Sequence, residues 1–104
     1  MMPPDTDFEE AAVAETREKV EEPPLFKVLL HNDDFTTMEF VVWVLESVFN
    51  MPEEQAIQVM LNVHLRGIGV AGIYTFEIAE TKVDKASALA REQEFPLLVT
   101  MEQA

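Results

Sequence analysis

The alternation of apolar and polar positions divides the chain after residue 24. From there on, short apolar runs are separated by polar turns, which is typical of a small folded domain. Residues 27–32 combine β-branched and apolar side chains between polar neighbours and predict a first strand. That strand ends in the polar stretch HNDDFTTMEF, residues 31–40, before the next apolar run begins.

Two helices are predicted after this polar stretch. The first begins with a capping box, in which the Thr36 hydroxyl accepts a backbone amide and Glu39 reaches back. Pro52 suits the first turn of the second helix, which continues to Arg66 and stops at Gly67. The apolar side of the first helix has helical spacing: Met38, Val41, Val42, Leu45, Val48 and Phe49.

The remaining pattern completes an α+β fold. Residues 67–72 contain three glycines and predict a loop, and residues 73–79 alternate as a strand does. Thr81 caps a predicted third helix over residues 81–93, and residues 96–100 predict a short final strand. The order β-α-α-β-α-β predicts a three-stranded antiparallel sheet with three helices packed on one face.

Composition narrows the function classes. The chain has 104 residues, enough for one small domain, and no cysteine, which excludes disulfides and thiolate metal sites. Its net charge of −13 disfavours nucleic acid and anionic membrane surfaces, and favours a cationic ligand or a basic partner. The apolar runs are too short to span a bilayer and there is no signal-peptide pattern, so we expect a cytoplasmic protein.

The first 24 residues differ from the rest of the chain. They carry eight acidic and two basic residues and are framed by prolines at positions 3, 4, 23 and 24. Such a segment buries too little apolar surface to fold alone. We expect residues 1–24 to form a mobile acidic N-terminal extension and residues 25–104 to form the folded domain.

The polar residues allow several kinds of site. Asp33, Asp34 and His64 could form the acid/base set of a small hydrolase, but no nucleophile elbow accompanies them. His31 could join them as metal ligands, but their spacing matches no calcium loop, and we expect no metal or cofactor. A scaffold that only joins proteins is a further alternative.

A binding site accounts for more of the pattern. Residues 32–34 follow a strand and precede a helix, so several acceptors can point at one volume. His64 has Met60 and Val63 within one helical turn, which places apolar and polar groups together. A ligand with a cationic head and an apolar body would suit them. The residues alone leave open that the apolar side chains are core and that the carboxylates only stabilise a helix N-terminus.

Longer motifs add a family resemblance. The segments KVLLHNDDFTTMEFVVWVL, MLNVHLRGIGVAGIYTFEIAETK and FPLLVTMEQA, in this order across residues 25–104, resemble the ClpS adaptor family. The resemblance implies a monomeric α+β protein that is not an enzyme. It implies binding of N-degron substrates, which begin with Phe, Leu, Tyr or Trp. It also implies delivery to the N-terminal domain of a Clp AAA+ unfoldase, ClpA or ClpC, for degradation by ClpP.

The resemblance also assigns roles by position. It implies that the substrate's α-amino group is bound by Asn32, Asp33, Asp34 and His64. It implies a side-chain pocket made of Thr36, Met38, Val41, Met60, Val63 and Leu97. Within that pocket, Met38 matches a gatekeeper against β-branched first residues. Glu77 and Lys82 match the unfoldase-facing surface, and residues 1–24 match an extension engaged during delivery.

Three positions depart from the family pattern. Thr37 stands where many relatives have proline, and Ala71 replaces a common cysteine. Trp43 falls on the same side of its predicted helix as Glu39 and Ser47, as an exposed contact or as the cover of a neighbouring loop. These departures leave open the order of preference among first residues and the choice between ClpA and ClpC.

Overall fold

The computed structural model describes residues 22–104, so the predicted mobile extension lies outside the described residues except for its last three positions. The elements are β1 Leu25–His31, α1 Met38–Ser47, α2 Glu53–Arg66, β2 Ile68–Thr75, α3 Phe76–Glu92 and β3 Leu98–Gln103. This order confirms the predicted β-α-α-β-α-β arrangement. No helix within residues 22–104 is both long enough and apolar enough to cross a membrane.

The sheet has the strand order β2-β1-β3, and both pairings are antiparallel. Strand β1 is central because its residues pair on both sides: Leu30 lies opposite Gly69 on β2 and Val99 on β3. The β1–β2 register shifts between Val28 and Leu29, which marks a bulge. The predicted three-stranded antiparallel sheet is confirmed.

The core lies between the helices and one face of the sheet. Val28 and Leu30 are fully buried there, whereas Ile68, Val70 and Leu98 are exposed. Burial of a leucine or valine side chain is worth about 1.5–3 kcal/mol, more than a surface ion pair such as Lys27–Glu102. All six elements contribute to the buried cluster: Val28, Leu30, Phe40, Val41, Val44, Leu45, Val48, Phe49, Ala56, Val63, Ala71, Ala79, Ala86, Ala90, Leu97 and Val99.

The second strand and the third helix were predicted in the wrong place. Residues 68–75 form β2, and α3 already begins at Phe76, so the predicted glycine loop is a strand and residues 76–79 are helical. The alternation in polarity over residues 73–79 concealed a helical spacing of small residues. The small residues that α3 buries are Ala79, Ala86 and Ala90. Strand β3 covers residues 98–103 and begins later than predicted.

The start of α1 also differs by one residue from the prediction. Thr37, and not Thr36, is the N-cap, and its hydroxyl accepts a hydrogen bond from the Phe40 amide at 3.1 Å. The helix ends at Ser47 and not at residue 49. The predicted end of α2 is confirmed, because Gly67 ends it in the left-handed conformation, with φ +88°. Its start was predicted one residue too early, because Pro52 is the extended N-cap and the helix begins at Glu53.

Candidate functional site

The loop between β1 and α1 is held by the side chain of Asp33. Its Oδ1 accepts hydrogen bonds from the backbone amides of Phe35 at 2.8 Å and Thr36 at 2.7 Å. Its Oδ2 accepts a third, from the Thr36 hydroxyl, at 2.7 Å. Aspartate often bonds the backbone two or three residues onward in this way. These three hydrogen bonds therefore brace the loop in front of α1.

The same hydrogen bonds set the acidity of Asp33. Burial raises the pKa of its carboxyl, but the hydrogen bonds from Thr36 and Phe35 outweigh it and hold the pKa below that of an ordinary aspartate. With a lowered folded-state pKa, this stabilisation is complete above the unfolded pKa of about 3.9 and is lost as the pH falls through the folded value. The loop is therefore braced throughout the neutral range.

The pKa of Asp33 can be tested by a carbon-13 NMR titration of its carboxyl. We expect a midpoint below about 3.9, the value of an unperturbed aspartate. In Thr36→Val the midpoint should rise, because valine keeps the shape of threonine but removes the hydroxyl donor. A midpoint at or above the unperturbed value, or one that is the same in both proteins, would contradict this account of the loop.

A backbone contact connects the end of β1 to the end of α2. The Asn32 amide donates to the Gly67 carbonyl at 2.9 Å, and the Gly67 amide donates to the Val63 carbonyl at 2.9 Å. Gly67 can end α2 here because it adopts a positive φ at little cost. His64 lies one turn before Gly67. This contact therefore places His64 close to the loop formed by residues 32–36.

A cavity of about 360 Å³ opens where the loop, α1 and α2 meet, and we call it the acidic cavity. It is bordered by Asn32, Asp33, Asp34, Phe35, Thr36, Thr37, Met38, Val41, Met60, Val63 and His64. Every residue predicted for the amine and side-chain sites borders it except Leu97, which is buried in the core cluster. Phe35 and Thr37 also border the cavity, although the sequence did not assign them to it.

The acidic cavity has a polar rim and an apolar wall. Asn32 and Asp34 are exposed at the rim, whereas Val41 and Val63 are buried in the wall. Asp34 is exposed where it borders the cavity, so its carboxylate oxygens can face the donors of a ligand. This arrangement can bind a cationic head at the rim and an apolar group against the wall.

The structure gives little support to acid/base or metal chemistry at these residues. Asp33 is a poor general base, because its oxygens hold the loop and its pKa is lowered. The ring of His31 is hydrogen bonded to the Thr100 hydroxyl at 2.7 Å, and His31 does not border the acidic cavity. Within residues 22–104, no group of three or more His, Asp or Glu side chains is placed to hold a metal ion.

Glu77 and Lys82 lie on α3, and neither borders the acidic cavity. Glu77 is exposed in the first turn of the helix. Lys82 is partly buried: its Nζ donates to the Val48 carbonyl at 2.6 Å and lies 5.8 Å from the centre of the Tyr74 ring. Lys82 therefore connects α3 to the end of α1, a structural role that the sequence did not predict.

Comparison with known proteins identifies close relatives of known family. The model of the family described as "ATP-dependent Clp protease adaptor protein ClpS" matches residues 21–100. A ClpS adapter protein from Methylococcus capsulatus is 57% identical over 93 residues, which cover 89% of this chain and 88% of the relative. One from Myxococcus xanthus is 54% identical over 86 residues, covering 83% and 80% of the two chains.

A solved structure is similar in sequence and in fold. It is Agrobacterium tumefaciens ClpS2 bound to L-phenylalaninamide, with 43% identity and a TM-score of 0.77. The match covers 80% of this chain and 100% of that one.

Proposed function

Because this chain belongs to the ClpS family of Clp protease adaptor proteins, we propose that its acidic cavity binds the first residue of substrate proteins. The ligand would be a free α-amino group carrying a bulky hydrophobic side chain, as in Phe, Leu, Tyr or Trp. The observation that carries the proposal is the acidic cavity itself, which joins a carboxylate rim to an apolar wall. The Agrobacterium relative, bound to an amide of phenylalanine, supports it.

The rim suits an α-ammonium group. The amine of a peptide has a pKa of about 7.7–8.0, so at neutral pH it is mostly protonated and offers three donors. Asn32 and Asp34 supply oxygen acceptors, and a ring nitrogen of His64 borders the same space. Asp33 contributes mainly its charge, because three loop hydrogen bonds already use most of its acceptor capacity. Charge-assisted hydrogen bonds of this kind are stronger than neutral ones.

The apolar wall suits the side chain of the first residue. Val41 and Val63 form its buried part, and Met38 and Met60 line it nearer the opening. Thr36 borders the same space, and we assign Leu97 a supporting role from the core. Methionine is long and flexible, so Met38 can close over a side chain that is not branched at Cβ and disfavour a β-branched one.

Binding at the acidic cavity would serve to deliver a substrate and not to catalyse a reaction. We propose that the protein hands its substrate to the N-terminal domain of a Clp AAA+ unfoldase, ClpA or ClpC, for degradation by ClpP. Glu77 and Lys82 would contact that domain, and residues 1–24 would act as the extension engaged in delivery. The protein would act as a cytoplasmic monomer. Because Lys82 also connects α3 to α1, Glu77→Gln is the cleaner test of this surface.

A series of peptides that differ only in the first residue tests the proposed pocket. By fluorescence anisotropy, we expect Phe- and Leu-first peptides to bind, and an Ala-first peptide to bind at least about ten-fold more weakly, since each methylene is worth roughly 1–3 kcal/mol. A Val-first peptide should bind weakly to the wild type and better to Met38→Ala. Chromatography should recover every peptide intact.

Equal affinity for Phe- and Ala-first peptides would contradict the side-chain pocket. Cleavage of the bound peptide that is lost in Asp34→Ala would favour the hydrolase alternative. Failure of all the peptides to bind would favour the protein–protein scaffold.

A further inference from the structure

A second concavity lies beside the acidic cavity and has no role in the proposed function. We call it the Trp43 groove; it has a volume of about 510 Å³ and is lined by Thr37, Glu39, Phe40, Trp43, Gln93 and Phe95. The Phe40 ring joins its aromatic residues, with its centre 5.8 Å from that of Trp43 and 4.9 Å from that of Phe95. The groove therefore presents an aromatic surface that joins the core at Phe40 and Phe95.

Trp43 is the most exposed aromatic residue of this groove. It is 46% exposed, although Phe40 on the same helix is 8% exposed. The sequence left open whether Trp43 is an exposed contact or the cover of a neighbouring loop. Because its ring is half-exposed at the groove, it is open to contact. A half-exposed tryptophan in a concave site is typical of ligand-binding surfaces, where its large rigid ring provides contact area.

The charge of the groove selects the chemistry of its ligand. Among the described residues 22–104, Glu39 is the only charged residue that lines it, and none of the lining residues is basic. Tryptophan and phenylalanine rings attract cations to their faces, and a carboxylate adds a second attraction. The positive end of the α1 dipole opposes a cation beside Glu39, which lies in the first turn, but it does not extend to Trp43, which lies beyond that turn. The groove therefore suits the long apolar stem and charged end of a lysine or arginine side chain.

The position of the groove indicates where that side chain comes from. Thr37 borders both the acidic cavity and the Trp43 groove, so the two spaces adjoin at this residue. An extended peptide advances about 3.3–3.6 Å per residue. A peptide whose first residue occupies the acidic cavity can therefore place one of its next few side chains in the groove.

We propose that the Trp43 groove is a second substrate subsite that takes a lysine or arginine side chain a few residues after the first residue. This inference rests on the proposed function, because it requires the acidic cavity to bind the start of the same peptide. Substrates that share the same first residue would then differ in affinity according to the charge that follows it.

Peptides that begin with Phe and carry one lysine at position 2, 3, 4, 5 or 6 test the proposal, with norleucine at the same position as the uncharged control. The readout is the ratio of the two affinities in each protein. At one or two positions, we expect the lysine peptide to bind about three- to ten-fold more tightly than the norleucine peptide. The gain should disappear in Trp43→Ala and shrink in Glu39→Gln. Glu80→Gln, which removes an exposed charge outside the groove, should retain it.

The chain offers an internal probe of the same contact. Trp43 is its single tryptophan, so its emission reports directly on the groove. The favoured lysine peptide should change that emission, and the norleucine peptide should change it less.

Several results would overturn the proposal. A lysine gain at no position, or a gain that survives in Trp43→Ala, would show that the groove is not a subsite. A change in the sedimentation of the free protein caused by Trp43→Ala would make the groove an interface between copies. If no Phe-first peptide binds at all, the proposed function fails, and the inference fails with it.

Discussion

Replacing Asp34 with alanine should weaken the binding of a Phe-first peptide by about 1–3 kcal/mol, roughly 5- to 150-fold. The change removes a charged acceptor from the rim of the acidic cavity and leaves a donor of the ligand's ammonium without its partner. His64→Ala should have a loss of the same order, because His64 approaches the same volume from α2. Isothermal titration calorimetry or anisotropy measures both effects.

A matched control separates local contact from overall charge. Asp84 is an exposed aspartate on α3 that does not border the acidic cavity, so Asp84→Ala makes the same change in net charge. It should leave peptide affinity unchanged. Equal weakening by Asp84→Ala and Asp34→Ala would contradict direct recognition. Asp33→Ala is less informative, because it also removes three hydrogen bonds that hold the loop.

Removing residues 1–24 should spare peptide binding and impair substrate degradation by about ten-fold or more, as loss of a tethering contact can. Among the described residues 22–104, every residue that borders the acidic cavity lies between positions 32 and 64. The start of β1 is also fixed independently of the extension, because the Ala104 amide donates to the Leu25 carbonyl at 2.8 Å. The shortened protein should therefore retain its site.

The degradation assay requires a control for the length of the extension. A variant in which residues 1–24 are replaced by a glycine–serine sequence of the same length keeps the reach and removes the native side chains. If that variant degrades substrate normally, the extension acts only through its length. Normal degradation by the fully shortened protein would refute a role for residues 1–24 in delivery. Anisotropy on both proteins shows whether the peptide site is intact.

Local chemistry allowed part of the fold to be predicted from the sequence. Pro52 and Gly67 mark the limits of α2 because each has a backbone preference that acts without tertiary partners. The boundary between β2 and α3 was wrong because residues 73–79 alternate in polarity. Phe76 and Ile78, two of the apolar residues in that alternation, are half-exposed on a helix. The position of α1 was wrong by one residue because Thr36 and Thr37 offer the same hydroxyl.

Most of the residues that border the acidic cavity were named from the sequence, but their geometry was not. The convergence of His64 with residues 32–34 depends on the bond from the Asn32 amide to the Gly67 carbonyl, and a backbone bond has no side-chain signature. The contact of Lys82 has no sequence signature either, because its partner is a backbone carbonyl 34 residues away in the chain. The Trp43 groove was not predicted because Phe95, which lines it, is far from Trp43 in the sequence.

The central claim is that the acidic cavity recognises a free α-amino group together with an apolar side chain. It is tested most directly by comparing a Phe-first peptide with its N-acetylated form by fluorescence anisotropy. Acetylation removes the charge and two donors but leaves the side chain unchanged. We expect the acetylated peptide to bind at least about ten-fold more weakly, because the carboxylate rim loses its charged partner. Equal affinity of the two peptides would contradict amine recognition.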